Sequence, residues 1–206
     1  MIKSSSIANF AVPLLALFLA SCGGPPSVAE LPPQPSARPS LPKPAAPARP
    51  VAPVAPAGPL TVARIGSYMD GLETELRQHV HGDGIIITRM GDDVTVVLRN
   101  DILFGRGGVM NADDVLEPLG AVLGAYVHTS VAVGGYTDTV GTPEQNMAIS
   151  AKRAKLIADG LAHEGVAPQR ITSQGYGATH LRVATGDGKA EPRNRRIEIL
   201  LKAKPG

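Results

Sequence analysis

Ser130-Val131-Ala132-Val133-Gly134-Gly135-Tyr136-Thr137-Asp138-Thr139-Val140-Gly141-Thr142-Pro143-Glu144-Gln145 is the stretch on which the fold turns. Ser130 to Gly134 reads as a buried strand, bounded by a glycine-flanked loop from Gly135 to Gly141. Thr142 and Gln145 then have the spacing of a capping box, with Pro143 in the first turn, so a helix starts here. Its pattern stops near Gly165. A strand feeding a polar loop and then a helix is half of a strand–helix–strand unit, and Ile171 to Gln174 supplies the second strand.

Outward from this centre, the rest of the globule can be placed. Val62, Ile65, Tyr68, Met69, Leu72, Leu76 and Val80 recur at threes and fours and predict a helix over Thr61 to His81. Ile85 to Thr88 and Val94 to Leu98 flank Met90-Gly91-Asp92-Asp93 and predict a hairpin. Asn111 is placed to cap a helix running to about Tyr126, with Asp113, Asp114 and Glu117 near its positive end. Ile197 to Leu201 is a final strand. Strands alternating with helices behind a hairpin predict an α/β (α+β) sandwich, one mixed sheet covered by helices.

The first 60 residues are different. Of the chain's 19 prolines, 13 lie between Pro25 and Pro59, and the only cysteine is Cys22. Residues 1–21 have the three parts of a secretory signal: Lys3, an apolar run of eleven residues from Phe10 to Ala20, and a small-residue exit. A membrane span needs about 20 apolar residues, so the run is too short to remain as one. Residues 22–60 repeat Pro with Ala, Ser and Val and read as a polyproline-biased tether. Extended at about 3.1 Å per residue, it reaches on the order of 100 Å. About 145 residues remain, one ordinary domain.

Composition excludes several classes. The net charge is +2, Trp is absent, and Phe and Tyr total only 7, too little basic field or stacking surface for a nucleic-acid binder. One thiol makes neither a disulfide framework nor a cysteine-based zinc site. The five histidines are scattered, and His79 and His81, the closest pair, point in different directions on a helix. No nucleophile elbow or zinc-protease pattern occurs, so the chain reads as no enzyme and no cofactor is expected. Gly105-Arg106-Gly107-Gly108 lacks the Lys-Ser/Thr of a phosphate loop.

Charge is uneven. Residues 61–151 carry 5 Arg against 12 Asp or Glu, and residues 152–206 carry 11 Lys or Arg against 5. The second half is suited to setting single guanidiniums beside acids. Three pieces stand out in and around it: the Tyr136-Thr137-Asp138 loop, Asn146 with Ser150-Ala151-Lys152-Arg153-Ala154, and Pro192-Arg193-Asn194-Arg195-Arg196 entering the last strand. Asn146 and Arg153 lie two helical turns apart and share a face.

These residues resemble the OmpA-like peptidoglycan-binding domain over roughly Asp101 to Lys202, with Thr-Asp, Asn, Arg-Ala and Asn-Arg-Arg in the family's order and spacing. Residues 61–100 are then a helix plus hairpin preceding it. The resemblance implies non-covalent binding of the peptidoglycan stem peptide through diaminopimelate. Asp138 would accept hydrogen bonds from the ligand's ammonium and Arg153 would grip its carboxylate, with Thr137, Asn146, Asn194 and Arg195 around them. A zwitterionic carbon calls for one acid and one forked donor a few ångströms apart, and lysine would be a poor substitute for Arg153. Asn146 reads chiefly as a brace for the loop, and Phe104 as core. The sequence departs from the family at Gly105-Arg106-Gly107-Gly108, where a polar loop is usual.

Leu19-Ala20-Ser21-Cys22 resembles a bacterial lipobox. That resemblance implies lipidation of Cys22 and, with Gly23 in place of a retaining aspartate, an outer-membrane address facing the periplasm. Each buried methylene adds about 0.8 kcal/mol, so several acyl chains hold firmly. The expected partners are the stem peptide, the outer membrane and possible envelope proteins. The alternative reading is a docking or scaffold component of an envelope-spanning complex. A motor stator is disfavoured for want of a transmembrane helix.

Overall fold

The computed structural model describes residues 58–105, 110 and 112–205. The signal, Cys22 and the tether up to residue 57 lie outside the described residues, as do Asn111 and residues 106–109 of the glycine-rich loop.

The chain folds in the order α1 (Ile65–His79, after a 3-10 turn at Val62–Arg64), β1 (Ile85–Met90), β2 (Asp93–Arg99), α2 (Asn100–Leu103), α3 (Asp113–Ala125), β3 (Thr129–Tyr136), α4 (Pro143–His163), β4 (Ile171–Gly175) and β5 (Arg196–Ala203). One five-stranded sheet runs β1-β2-β5-β3-β4. Only β3 and β4 are parallel, and α4 is their crossover. The two-residue connection Gly91-Asp92 closes the β1–β2 hairpin, with Met90 opposite Asp93. Because β2 pairs with β5 from Asp93↔Lys202 to Arg99↔Arg196, the segments read as 61–100 and 101–202 share one sheet.

Period-two burial sorts the sheet into two faces. Val94, Val96 and Leu98 of β2, Val131 and Val133 of β3, and Ile197, Ile199 and Leu201 of β5 are buried in the core. The helices supply the other half of that core: Tyr68, Met69, Leu72 and Leu76 from α1, Leu116, Leu119 and Leu123 from α3, and Ala154, Ile157 and Leu161 from α4. Burying each such side chain contributes about 1.5–3 kcal/mol. The opposite face of the sheet is open among the described residues, with a cleft of about 200 Å³ lined by Thr95, Ala132, Tyr136, Thr172, Gln174, Tyr176, Glu198 and Leu200.

The capping box forms as expected: the Gln145 N–H donates to Thr142 Oγ1 at 3.2 Å and the Thr142 N–H to Gln145 Oε1 at 3.1 Å. The start of α3 differs. Its N-cap is Ala112, with no side-chain cap, in place of the expected Asn111. The Ala112 carbonyl accepts from Val115 and Leu116, and Ala112 is buried.

Two glycines set the distance between α4 and the sheet. A Cβ on Gly135 would fall onto the Ser150 carbonyl, and one on Gly175 onto the Ala151 backbone nitrogen. Bare backbone at both positions lets the middle of α4 lie directly against β3 and β4. Ser150 completes the contact, its hydroxyl donating to the Met147 carbonyl and accepting from the Gly177 N–H, both at 2.9 Å.

Candidate functional site

Hydrogen bonding continues one row beyond the end of the sheet where β3 stops. Arg99 of β2 is in register with Arg196 of β5, and Arg196 with Tyr136 of β3. Past them, the Asn100 N–H donates to the Arg195 carbonyl at 3.0 Å and the Thr137 N–H to the Gly177 carbonyl at 2.9 Å. Asn100, Arg195 and Thr137 thus follow Leu98, Ile197 and Gly135, which lie on the helix side. The first turns of α4 start beside this row.

Asp138 is 5% exposed. Its Oδ2 accepts from Arg195 Nη1 at 2.7 Å and from the Glu191 N–H at 3.3 Å; its Oδ1 accepts only from the Val140 N–H at 3.3 Å. A carboxylate offers about four lone-pair sites, so Oδ1 retains capacity for another donor. The Glu191 that holds Asp138 through its backbone is itself clasped by Arg193, which bonds its carboxylate with Nε and Nη2, both at 2.9 Å. Those bonds hold the Glu191 carboxyl down at about 2.

Arg153 is half-buried, and its guanidinium stands 5.6 Å from the centre of the Phe104 ring. Its pKa is lowered, first by burial and then by the positive charge of Arg195, with Asp138 pulling the other way. Among the described residues it has neither a hydrogen bond nor an ion pair. Asp138 makes its direct guanidinium contact with Arg195, while Arg153 stands beside that pair with its donors uncommitted among the described residues. Phe104 is both core and a platform under Arg153.

The other residues singled out in the sequence divide into two groups. Thr137 is 4% exposed and its hydroxyl has no partner. Asn146 is 5% exposed, near Gly141 of the loop, and its amide makes no hydrogen bond among the described residues. Asn194 is fully buried and its amide clamps Val183, accepting from the N–H and donating to the carbonyl, both at 2.8 Å. That arrangement holds the 183–194 loop shut and leaves Asn194 little for a ligand. Thr139 ties the same loop to the α4 entry, donating to the Gly186 carbonyl at 2.7 Å and accepting from the Lys189 N–H at 3.1 Å. Arg196 pairs with Glu198 at 2.6 Å and stacks 4.0 Å from the centre of the Tyr136 ring, which in turn stacks on Tyr176.

Two features escaped the sequence. The Arg195–Asp138 pair joins residues 57 apart, beyond the reach of local pattern. Asn100 is buried with both amide atoms unpartnered. A signal for it existed: it follows Val94, Val96 and Leu98 at period two, a polar residue where the alternation demands an apolar one.

The arrangement is a partly buried cradle of two guanidiniums and one carboxylate, lined by neutral polar groups. No cluster of three or more His, Cys, Asp or Glu side chains able to hold a metal occurs among the described residues, nor does any described helix have the length and apolarity to cross a membrane.

Comparison with known proteins gives this geometry a family. The probable lipoprotein YiaD of Escherichia coli is 34% identical over 145 residues, covering 66% of this chain and 64% of that protein. The peptidoglycan-binding protein ArfA of Mycobacterium tuberculosis is 32% identical over 111 residues, covering 52% of this chain and 34% of that one. The chain therefore matches less than two thirds of either relative's length. Among solved structures, a putative MotB-like protein from Desulfovibrio vulgaris superposes with a TM-score of 0.59 at 21% identity, over 69% of this chain and 96% of that one, a likeness of fold. Residues 110–195, which hold Thr137, Asp138, Asn146, Arg153, Asn194 and Arg195, match the OmpA family.

Proposed function

We propose that this chain is a lipid-anchored envelope protein that binds peptidoglycan without covalent chemistry, gripping the zwitterionic end of diaminopimelate in the stem peptide. The observation that carries the reading is Arg153, a half-buried guanidinium without a partner among the described residues, beside a buried Asp138 whose Oδ1 has a lone pair to spare. Burying a charge without a partner is costly, and an incoming carboxylate offsets that cost. A planar fork takes a carboxylate bidentately, which fixes its orientation as well as its position.

Each residue then has a task. Arg153 holds the ligand's carboxylate and Asp138 Oδ1 accepts from its ammonium. Arg195 orients Asp138 through Oδ2 and adds a second positive charge facing the carboxylate. Thr137 and Asn146 offer neutral hydrogen-bonding groups, and Asn194 keeps the neighbouring loop in place. Nothing in this set is a nucleophile beside a base, so the site binds and releases.

The entry point of the chain supports a tethering role. Leu60, the first buried residue after the proline-rich stretch, lies with Tyr68 and His128, next to the start of β3. The candidate site follows the other end of β3, eight residues away, or about 26 Å at strand rise. A membrane held through Cys22 and a wall held at Asp138 would pull on opposite ends of the domain. Lipidation of Cys22 and an outer-membrane address are parts of this proposal.

Co-sedimentation with purified peptidoglycan tests the pocket. Wild type is expected in the pellet, and Asp138→Ala and Arg153→Ala in the supernatant with native circular dichroism; co-sedimentation of both variants would place the pocket elsewhere. For the anchor, Cys22→Ser should release the protein into the soluble periplasmic fraction, and membrane retention of that variant would contradict lipidation.

A further inference from the structure

Asn100 is a buried side chain at this end of the sheet with both of its amide atoms unmatched among the described residues. It is 6% exposed, and neither its Nδ2 nor its Oδ1 has a hydrogen-bond partner. Its backbone is fully engaged: the N–H donates to the Arg195 carbonyl at 3.0 Å, and the carbonyl accepts from the Phe104 N–H at 2.9 Å. Asn100 is thus stitched between the residue that holds Asp138 and the residue whose ring lies under Arg153. A fold that needed only to fill this position would be more stable with an apolar side chain, because leaving a buried amide unpaired is costly. An orphaned donor and an orphaned acceptor on one side chain call for a partner that supplies one of each.

We infer that Asn100 is a ligand-contact residue of the site, its Nδ2 donating to the carboxylate and its Oδ1 accepting from the ammonium of the same zwitterionic carbon. This rests on the reading of the site as a diaminopimelate pocket and deepens it. Asp138 and Arg153 recognise the ligand's two charges separately; a neutral amide spanning both reads their spacing. Thr137 Oγ1, also buried and unpartnered, lies in the same row and adds a third neutral group.

The test uses the full chain in detergent, a meso-diaminopimelate-containing tripeptide as probe, calorimetric titration, and thermal melts without ligand. Asn100→Leu is expected to weaken binding on the order of 10- to 100-fold, the scale for hydrogen bonds to charged groups, while its Tm stays level or rises. Asn100→Ala is read in the same way should the larger side chain prevent folding. An amide that holds the fold would behave oppositely, lowering Tm in both variants, and that result overturns the inference. Unchanged affinity in both variants, with binding abolished by Asp138→Ala, overturns the Asn100 contact and leaves the pocket standing. A wild-type chain that does not bind the tripeptide overturns the pocket and this contact together.

Discussion

Arg170 and Arg153 are both half-buried arginines with pKa values lowered by burial, and they lie towards opposite ends of β3. All three guanidinium nitrogens of Arg170 are engaged by the protein. Its Nε donates to the Thr129 carbonyl at 2.8 Å, its Nη1 to the Leu123 carbonyl at 3.0 Å, and its Nη2 to the Tyr126 carbonyl at 2.7 Å and Thr129 Oγ1 at 2.6 Å. Arg153 has no such partner among the described residues, and at the same end of the sheet Thr137 and Asn100 also have polar atoms unmatched among them. One end of the sheet has its hydrogen bonds closed; the other keeps them open. The same residue type can therefore hold a fold together or wait for a ligand, and the census of hydrogen bonds separates the two cases where burial and charge do not.

The comparison can be broken most severely at Asp138. Asp138→Ala removes the proposed ligand contact and strands Arg195, and losing one partner of a desolvated charge pair costs about 2–5 kcal/mol, so a micromolar complex should vanish in a sedimentation or calorimetric assay. At the closed end, Arg170→Met takes one donor from each of the Leu123, Tyr126 and Thr129 carbonyls. Chemical denaturation should show a loss of about 2–4 kcal/mol, with affinity for the tripeptide unchanged in the folded fraction. Gly135→Ala acts between the two, pressing α4 away from β3. A stability loss of about 1–3 kcal/mol together with weakened binding is expected, because the helix that moves carries Arg153.

The smallest effect is with pH. Burial first, and then the nearby Glu198 carboxylate, push the Tyr136 hydroxyl up to about 12. Since the folded state favours the neutral phenol, its contribution is complete below the ordinary tyrosine value of about 10 and is lost as pH rises through about 12. Ultraviolet titration of wild type against Tyr136→Phe should show the missing phenol ionising last. A transition near the ordinary value would contradict the packing of Tyr136 between Arg196 and Tyr176.

What was legible in the sequence was what local chemistry writes. The capping box at Thr142 and Gln145, the two-residue turn at Gly91-Asp92 and the alternation of β2 and β5 depend on neighbours in the chain. Asp138 and Arg153 could be singled out because the loop and helix carrying them are contiguous. What needed the structure was long-range. The Arg195–Asp138 bond joins residues 57 apart, and the Asn194 clamp on Val183 depends on how a loop returns. The strand order places β5, last in the chain, between β2 and β3. The first turn of α3 follows Ala112, which carries no polar capping signal in the sequence.

Calorimetric titration of Arg153→Met with the diaminopimelate tripeptide, paired with a melt of the unliganded variant, tests most directly whether this arginine is held in reserve for a ligand. The expected result is loss of detectable binding with a Tm equal to or above that of wild type. A variant that still binds, or one that melts early as Arg170→Met should, would contradict it.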